Sequence, residues 1–308
     1  MLFSIIVPVY NAQQTLAELC SRIKAVFTET LKHEFEIILV NDSSRDTSWG
    51  VMRRLHQEDN RIKIINLARN YGQHSAIYCG LQHFRGDYVI LMDDDLQNPP
   101  EEIPKLIQAM ASDTELDVVF GSYNSKKHNL VRRAGSQLIG RVGASIAKRD
   151  PRIKFTSFRI IKAKVARDMA TIQVYRPRIG GLIMQCTNRI GTTPVEHHPR
   201  QYGKSGYSFS RLYRDFLSII IGSSTLPLKL ISTFGLIVAV LSMLSAVVLV
   251  IRHFIHGSSV AGWTSMMVAI SFFSGFILFS LGIIGEYLIR ILMEAKKNPV
   301  YFEREKFL

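Results

Sequence analysis

The sequence predicts an α/β fold with a mostly parallel sheet, followed by amphipathic interface helices and two transmembrane helices. In residues 1–122, short apolar runs alternate with segments of mixed polarity, the pattern of parallel strands joined by crossover helices. Further along the chain, Leu230–Ile251 and His256–Gly285 are uncharged and largely apolar. Each stretch exceeds the roughly 20 residues that a helix needs to cross a bilayer.

The predicted strands and helices alternate along residues 1–122. Strands are expected at Phe3–Val9, Phe35–Val40, Ile62–Leu67, Tyr88–Met92 and Asp117–Gly121. Helices are expected at Gln14–Thr30, Thr47–Glu58, Gln73–Phe84 and Pro100–Ala111. Pro100 suits a helix start because its missing N–H and fixed φ cost nothing there, and two glutamates follow it.

Four polar clusters stand where predicted strands end: Pro8–Asn11, Asn41–Ser44, Arg69–Gly72 and Asp93–Asp95. In open parallel sheets, ligands bind beyond the carboxyl ends of the strands, so the clusters predict one shared site. Asn, Asp and Ser are also the usual residues of turns and helix caps. For Asp42–Ser44 taken alone, capping is the preferred interpretation.

The aspartate cluster predicts a metal site. Asp93 and Asp95 are two residues apart, so they point the same way on an extended backbone while Asp94 points away from them. Two carboxylates with the amide oxygen of Gln97 suit Mg²⁺ or Mn²⁺ and leave room for substrate phosphates. The alternative is a solvated acidic turn that caps the next helix. No glycine-rich dinucleotide or phosphate-loop signature follows the first strand, so a diphosphate must be bound by metal and side chains.

The charge is concentrated in one segment. The chain has a formal net charge of +13, and residues 120–167 contain thirteen Lys and Arg against Asp150 alone. A basic segment upstream of apolar spans suits phosphate and the anionic membrane lipids. It has no interleaved aromatic residues, which argues against a nucleic-acid partner.

Cysteine usage predicts a reducing compartment. Cys20, Cys79 and Cys186 are widely spaced and match no metal or disulfide spacing, so buried or idle thiols are expected.

The domain boundaries follow from these changes in composition. Residues 1–122 form the nucleotide-sugar half and residues 123–207 the basic acceptor side, including the weakly amphipathic Leu130–Ile146. Residues 208–227 form an interface helix, residues 228–290 two transmembrane helices, and residues 291–308 a tail. Met1–Tyr10 lacks a basic leader, so the first half and, after two spans, both termini are expected on the cytoplasmic side.

The quoted motifs together resemble a known family. They are "SIIVPVYNA", "ILVNDSSRDTS", "LARNYGQHSAIYCGL", "VILMDDDLQNPPEEIP", "RQYGKSGYS" and "GIIGEYLIRI". In this order they are similar to the polyisoprenyl-phosphate glycosyltransferases of glycosyltransferase family 2, relatives of dolichyl-phosphate mannose synthase whose bacterial branch carries two C-terminal spans. The resemblance implies a Rossmann-like A-type glycosyltransferase fold. It also implies inverting transfer from a nucleotide-diphosphate sugar, UDP favoured, to undecaprenyl phosphate at the bacterial inner membrane, for O-antigen or lipopolysaccharide-type glycan.

The resemblance assigns residues to roles. The donor side comprises Pro8, Tyr10, Asn11 and Asp42, to which we add the strand-end residues Arg69 and Asp94. The metal motif comprises Asp93, Asp95 and Gln97, and the residues expected to carry catalysis are Asp93, Asp95 and Arg159. The acceptor phosphate is expected to contact Arg133, Ser136, Arg200, Lys204 and Ser205.

Two positions depart from the family pattern: Ala12 replaces a frequent Glu, and Ser157 replaces an Asp. Loss of that Asp matters only if the reaction needs a base. The second pKa of a phosphate monoester is about 6, so the acceptor is largely ionised at neutral pH without help.

Two other functions remain open at this stage. A processive polysaccharide synthase would resemble a Gln-x-x-Arg-Trp pattern and carry more spans, whereas neither Trp49 nor Trp263 follows Arg. A non-catalytic sugar-nucleotide or lipid-phosphate binding protein would explain Ser157 but not the retained aspartates.

Gly275, Gly282 and Gly285 would let apolar helices of two subunits pack closely in a homo-oligomer.

Overall fold

The computed structural model describes residues 1–123, 156–174, 177–199, 237, 251, 255, 262–295 and 299–308. The chain divides into two compact units. The first comprises residues 1–134, 150–205 and 297–308 and contains the sheet; the second comprises residues 135–149 and 206–296.

Strands and helices alternate through the first 123 residues, as predicted. The strands are β1 (Leu2–Val9), β2 (Glu34–Asn41), β3 (Ile62–Leu67), β4 (Tyr88–Leu91) and β5 (Val118–Tyr123). The helices are α1 (Leu16–Ala25, continued by a π-helical turn at Val26–Leu31), α2 (Ser48–Glu58), α3 (Gln73–Gly80) and α4 (Ile103–Ser112, after a 3-10 turn at Pro100–Glu102). Helix α3 ends before the expected Phe84, and tight turns follow it.

The alternation was expected in residues 1–122, but strands and helices also follow later in the chain. The later elements are β6 (Arg159–Lys162), α5 (Ala163–Thr171), α6 (Ile179–Cys186), β7 (Ile190–Val195), α7 (Trp263–Ala295) and β8 (Glu303–Phe307). The strand order is β7-β5-β6-β4-β1-β2-β3-β8. Strands β4, β1, β2 and β3 are mutually parallel, whereas β6 runs antiparallel between β4 and β5, and β8 runs antiparallel to β3. The tail predicted at 291–308 therefore contributes an edge strand.

The core lies on both faces of this sheet. Alternate residues of β1 enter two separate clusters: Ile5 and Val7 pack with α1, α2 and α4, while Ile6 packs with α3, α5 and α6. Because both faces are covered, the central strands are continuously apolar. Burying one such side chain contributes about 1.5–3 kcal/mol to the free energy of folding. The well-packed central strands therefore hold the loops at their ends in place.

A polar network joins the opposite, amino ends of these strands. Glu36 is buried, accepts a hydrogen bond of 2.5 Å from Ser4 and forms an ion pair with buried Lys63. The N–H of Gly86 donates to Ser4 Oγ at 2.8 Å. A Cβ on Gly86 would lie 2.8 Å from the carbonyl oxygen of Leu2, so the close approach requires glycine.

Helix α7 covers most of the second predicted span. Among the residues that the structure describes, no helix combines the length and apolar character that membrane crossing requires. The first predicted span is almost entirely outside the described residues, and both interface segments, Leu130–Ile146 and residues 208–227, lie wholly outside them.

Candidate active site

The loops beyond β1 to β4 share an unusual backbone feature. Asn11, Ser43 and Leu96 have φ values of 55°, 56° and 57°, and Gly72 has a φ of 91°. Non-glycine residues seldom adopt positive φ, and strained backbone of this kind concentrates at functional sites. Three of the four non-glycine residues with positive φ in the described part of the chain therefore lie in or beside the predicted strand-end clusters, and the fourth is Lys32.

Side-chain hydrogen bonds connect the first two loops. The side-chain oxygen of Asn11 accepts the N–H of Arg45 at 2.8 Å, and the N–H of Asn11 donates to Ser44 Oγ at 3.0 Å. Ser44 Oγ donates in turn to Asn41, whose amide donates to Asn66 on the next strand at 2.9 Å. Asn11 thus positions the loop, and its contact with a donor nucleoside stays a prediction.

Asp42 connects β2 to the loop before α3. Its two carboxylate oxygens accept the N–H groups of Tyr71 at 2.7 Å and Gly72 at 2.8 Å. Burial raises the pKa of Asp42, and these two hydrogen bonds oppose that rise. These two contacts fix the loop that precedes α3, and a contact of Asp42 with a donor nucleoside stays a prediction.

The three aspartates have different hydrogen-bond partners. Asp93 accepts a hydrogen bond of 2.5 Å from the side-chain amide of Gln73, whereas Asp94 turns toward β1 and accepts the N–H of Tyr10 at 3.0 Å. Asp95 accepts the N–H of Gln97 at 3.2 Å. Burial and, to a smaller extent, the negative charges of Asp93 and Asp95 together raise the pKa of Asp94 to about 7.

The donor set around Asp93 and Asp95 fits a hard divalent cation. The two carboxylates and the amide oxygen of Gln97 would supply oxygen alone, the ligand type that Mg²⁺ and Mn²⁺ prefer, and the amide nitrogen of Gln97 lies 3.4 Å from the carbonyl oxygen of His198. The Gln97 backbone is fixed because its carbonyl accepts the N–H of His198 at 2.8 Å. These residues could therefore bind Mg²⁺ or Mn²⁺ beside the strand ends.

Arg159 supplies a buried cation next to the aspartates. It begins β6, is paired with Leu91 of β4, and is only 4% exposed. Its guanidinium lies 5.2 Å from the ring centroid of Phe120. Burial lowers the pKa of Arg159 to about 10, while the charge of Asp93 acts to raise it, so the side chain is protonated at neutral pH.

Two residues that the sequence analysis missed follow Gly72 at the start of α3. Gln73 binds Asp93, and His74 lies near Arg159 and Arg178. Removal from water and, to a smaller extent, the charges of the two arginines together lower the pKa of His74 to about 4. His74 is therefore neutral at pH 7. The sequence signal was available, because both residues directly continue a strand-end cluster.

A cleft of about 880 Å³ lies between α4 and β7. Tyr123 and His197 line it, with their rings stacked at a centroid distance of 4.2 Å. The hydroxyl of Tyr123 donates to buried Asn98 at 2.8 Å, and Ser157 also hydrogen-bonds Tyr123. The departure at Ser157 therefore falls beside this cleft.

The remaining predicted residues fall into two groups. Pro8 is buried within β1, Tyr10 is 43% exposed, and the guanidinium of Arg69 lies 4.9 Å from the ring centroid of Tyr71. The predicted acceptor residues lie outside the described residues; they are Arg133, Ser136, Arg200, Lys204 and Ser205.

The family profile described as "Glycosyl transferase family 2" matches residues 4–178 of this chain. The chain belongs to glycosyl transferase family 2. This family 2 glycosyltransferase is 35% identical to the undecaprenyl-phosphate 4-deoxy-4-formamido-L-arabinose transferase of Pseudomonas fluorescens, over 97% of this chain and 88% of the relative. It is 33% identical to the protein of the same name in Edwardsiella ictaluri, over 97% of this chain and 92% of the relative.

The solved structures agree on the fold of this glycosyltransferase. Glucosyl-3-phosphoglycerate synthase of Mycobacterium tuberculosis, crystallised with Mn²⁺ and UDP-glucose, superposes with a TM-score of 0.52. The sequence identity is 12%, and the match covers 71% of this chain and 76% of the synthase. At this identity the likeness concerns the fold alone, and the expected α/β glycosyltransferase fold is confirmed.

Proposed function

We propose that this family 2 glycosyltransferase moves a sugar from a nucleotide-diphosphate donor, UDP favoured, to undecaprenyl phosphate with inversion at the anomeric carbon. The main support is the likeness over 97% of the chain to proteins named as transferases to undecaprenyl phosphate. Their names make 4-deoxy-4-formamido-L-arabinose the first sugar to test. The product would serve glycan modification in the cell envelope, of the lipopolysaccharide type.

Asp93, Asp95 and Gln97 would hold Mg²⁺ or Mn²⁺, which when bound neutralises the charge of the leaving diphosphate. The oxygen donor set supports this assignment. The mycobacterial synthase, which shares the fold and was crystallised with both Mn²⁺ and UDP-glucose, also supports it. Gln73 would orient Asp93 through its hydrogen bond of 2.5 Å.

Basic side chains of this protein would let the negatively charged acceptor phosphate approach the negatively charged donor diphosphate. An oxygen of the acceptor phosphate forms the new bond to the anomeric carbon while the bond to the diphosphate breaks, and the nucleoside diphosphate leaves. Because the acceptor is already ionised, no residue need accept its proton, which makes Ser157 compatible with turnover. Arg159 would offset the gathering negative charge from its buried position, and the predicted acceptor residues would position the phosphate.

A lipid-linked acceptor requires a site at the membrane. We propose that Leu230–Ile251 and His256–Gly285 span the inner membrane, because each is uncharged and long enough to cross it. The sheet unit and both termini would then face the cytoplasm, where nucleotide sugars are made. The basic residues between 126 and 154, upstream of β6, would face anionic lipid headgroups.

The decisive experiment measures nucleotide release by the purified full chain. Undecaprenyl phosphate is supplied with a panel of UDP- and GDP-sugars, with and without Mg²⁺ or Mn²⁺. We expect release that requires lipid, metal and one particular donor. Release to water without lipid would contradict the acceptor assignment, and undiminished release in chelator would contradict the metal assignment.

A further inference from the structure

A second cluster of potential ligands lies at the far end of α3. The Cys79 thiol, the His83 imidazole and the Glu303 carboxylate each offer one ligand atom, and the three atoms lie within 4.8 Å of one another. His83 Nε2 is 2.6 Å from Glu303 Oε1, and Cys79 Sγ is 3.8 Å from the same oxygen. Gln73, which binds Asp93, stands at the opposite end of α3, so this cluster is separate from the candidate active site.

The backbone brings these side chains together in two ways. Cys79 and His83 are four residues apart, and α3 continues into tight turns through His83, so both side chains face the same side. Glu303 begins β8, whose pairing with β3 carries it to the edge of the sheet beside α3. Sequence spacing could not reveal the site, because Glu303 lies 220 residues beyond His83. The earlier expectation of idle thiols considered the cysteines alone.

We propose that Cys79, His83 and Glu303 form a second metal site, which takes a borderline-soft divalent ion such as Zn²⁺. Thiolate, imidazole and carboxylate are the three ligand types of protein zinc sites, whereas Mg²⁺ prefers oxygen alone. Three protein ligands leave a fourth position for water or for Tyr301, whose hydroxyl is hydrogen-bonded to Cys79.

The geometry needs little adjustment to admit the ion. Zinc lies about 2.3 Å from sulfur and about 2.0–2.2 Å from nitrogen or oxygen, so tetrahedral ligand atoms are roughly 3.3–3.6 Å apart. The separation of 3.8 Å between Cys79 and Glu303 is near this range. His83 Nε2 and Glu303 Oε1, now 2.6 Å apart, would have to move apart by less than about 1 Å to reach this range.

The surroundings suit a metal site. Cys79 is fully buried, and Lys306 binds the other carboxylate oxygen of Glu303 at 2.9 Å, which fixes its orientation. Outer contacts of this kind orient metal ligands and tune affinity. A bound ion would fasten β8 to α3 and so stabilise the edge of the sheet.

Zinc content and cobalt absorption test the proposal on the full chain. After dialysis against metal-free buffer, we expect wild type to bind one more equivalent of Zn²⁺ than Cys79→Ser or His83→Gln. Replacement by Co²⁺ should give the near-ultraviolet thiolate-to-cobalt absorption, which an oxygen-only site at Asp93 and Asp95 cannot produce. Cys186→Ser is the matched control, because Cys186 is a free cysteine outside the cluster.

Each outcome decides the proposal. Loss of the cobalt absorption and a more than about 100-fold loss of zinc affinity in both cluster variants, with Cys186→Ser unchanged, would establish the site. His83→Gln guards against misfolding of Cys79→Ser, because His83 lies in a turn and is only partly buried. Wild type that takes up neither ion, or a cobalt absorption that survives Cys79→Ser, would leave only a hydrogen-bonded His–Glu pair and overturn the proposal.

Discussion

The side-chain amide of Gln73 lies 2.5 Å from a carboxylate oxygen of Asp93 and donates a hydrogen bond to it. A contact that orients a proposed metal ligand should matter for activity although it touches no substrate. We expect Gln73→Ala to lower kcat/KM by about 10–100-fold and to raise the metal concentration needed for half-maximal rate. Gln57→Ala, an exposed change on α2, is the control. A normal metal requirement in Gln73→Ala would remove this positioning role.

Asp95 is the most direct test of the candidate active site. Asp95→Asn keeps the shape of the side chain and an oxygen for the N–H of Gln97 but removes a charge. We expect transfer to be abolished with the melting temperature little changed. Asp168→Asn, an exposed change on α5, should leave the rate intact. Near-normal activity in Asp95→Asn would exclude this carboxylate from the chemistry.

Arg159 should contribute through its charge. We expect Arg159→Met, which fills similar space against Phe120, to lower the transfer rate by about 100-fold or more, the usual effect of losing a preorganised charge stabiliser. Arg159→Lys should retain part of the rate. Arg189→Met is the control, because Arg189 forms an exposed ion pair with Glu115. Equal rates in wild type and Arg159→Met would show that the buried charge serves only the fold.

Asp59 should make stability depend on pH. Arg61 and then Lys24 hold its pKa well below the usual range, through contacts of 2.9–3.0 Å. A depressed folded-state pKa adds stability above the unfolded value of about 3.9, and that stability is lost as the pH falls through the folded value.

We therefore expect Asp59→Asn to reduce the free energy of unfolding by about 1–3 kcal/mol at pH 7. The difference from wild type should shrink as the pH falls below about 4. Melting temperatures at several pH values provide the measurement. Asp113→Asn, which alters an acceptor of the Glu115 N–H, is the comparison. A difference that is constant with pH would contradict the ion-pair explanation.

Replacing only one member of the buried ion pair of Lys63 and Glu36 should strongly reduce the free energy of unfolding. Lys63→Met leaves the Glu36 charge buried without its cation, and we expect a loss of about 3–5 kcal/mol. The double variant Lys63→Met/Glu36→Gln should regain part of it, since Gln can still accept from Ser4. Lys105→Met removes a half-exposed partner of Glu102 and should cost about 1 kcal/mol or less. Thermal unfolding in detergent compares the four proteins.

The sequence predicted the strands and helices that are specified by the pattern of neighbouring residues. Strands β1 to β4 are buried on both faces, so their apolar runs are unmistakable, and their polar ends marked the loops around Asp42 and Asp93. The contacts of Asp42 with Tyr71 and Gly72 could not be predicted locally, because those two residues belong to another loop.

The elements that escaped prediction depend on distant pairing. Strand β6 is four residues long inside a basic segment, and its antiparallel insertion places Arg159 against β4. Strand β8 has the sequence "EREKF". An edge strand pairs on one side only and can carry many charged, exposed residues, so its sequence resembles that of a solvated tail. The Cys79 cluster and the stacked rings of Tyr123 and His197 likewise join residues far apart in the chain.

The position of β8 also sets an order of events during synthesis. Glu303 leaves the ribosome 220 residues after His83, a delay of roughly 10–40 s at ordinary translation rates. Throughout that interval the outer edge of β3 has no partner strand, and open edges of apolar strands invite pairing with other chains. The nascent sheet is therefore exposed to aggregation while helix α7 is being made. Chaperone demand should be greatest in this window, and protein truncated before residue 299 would never leave it.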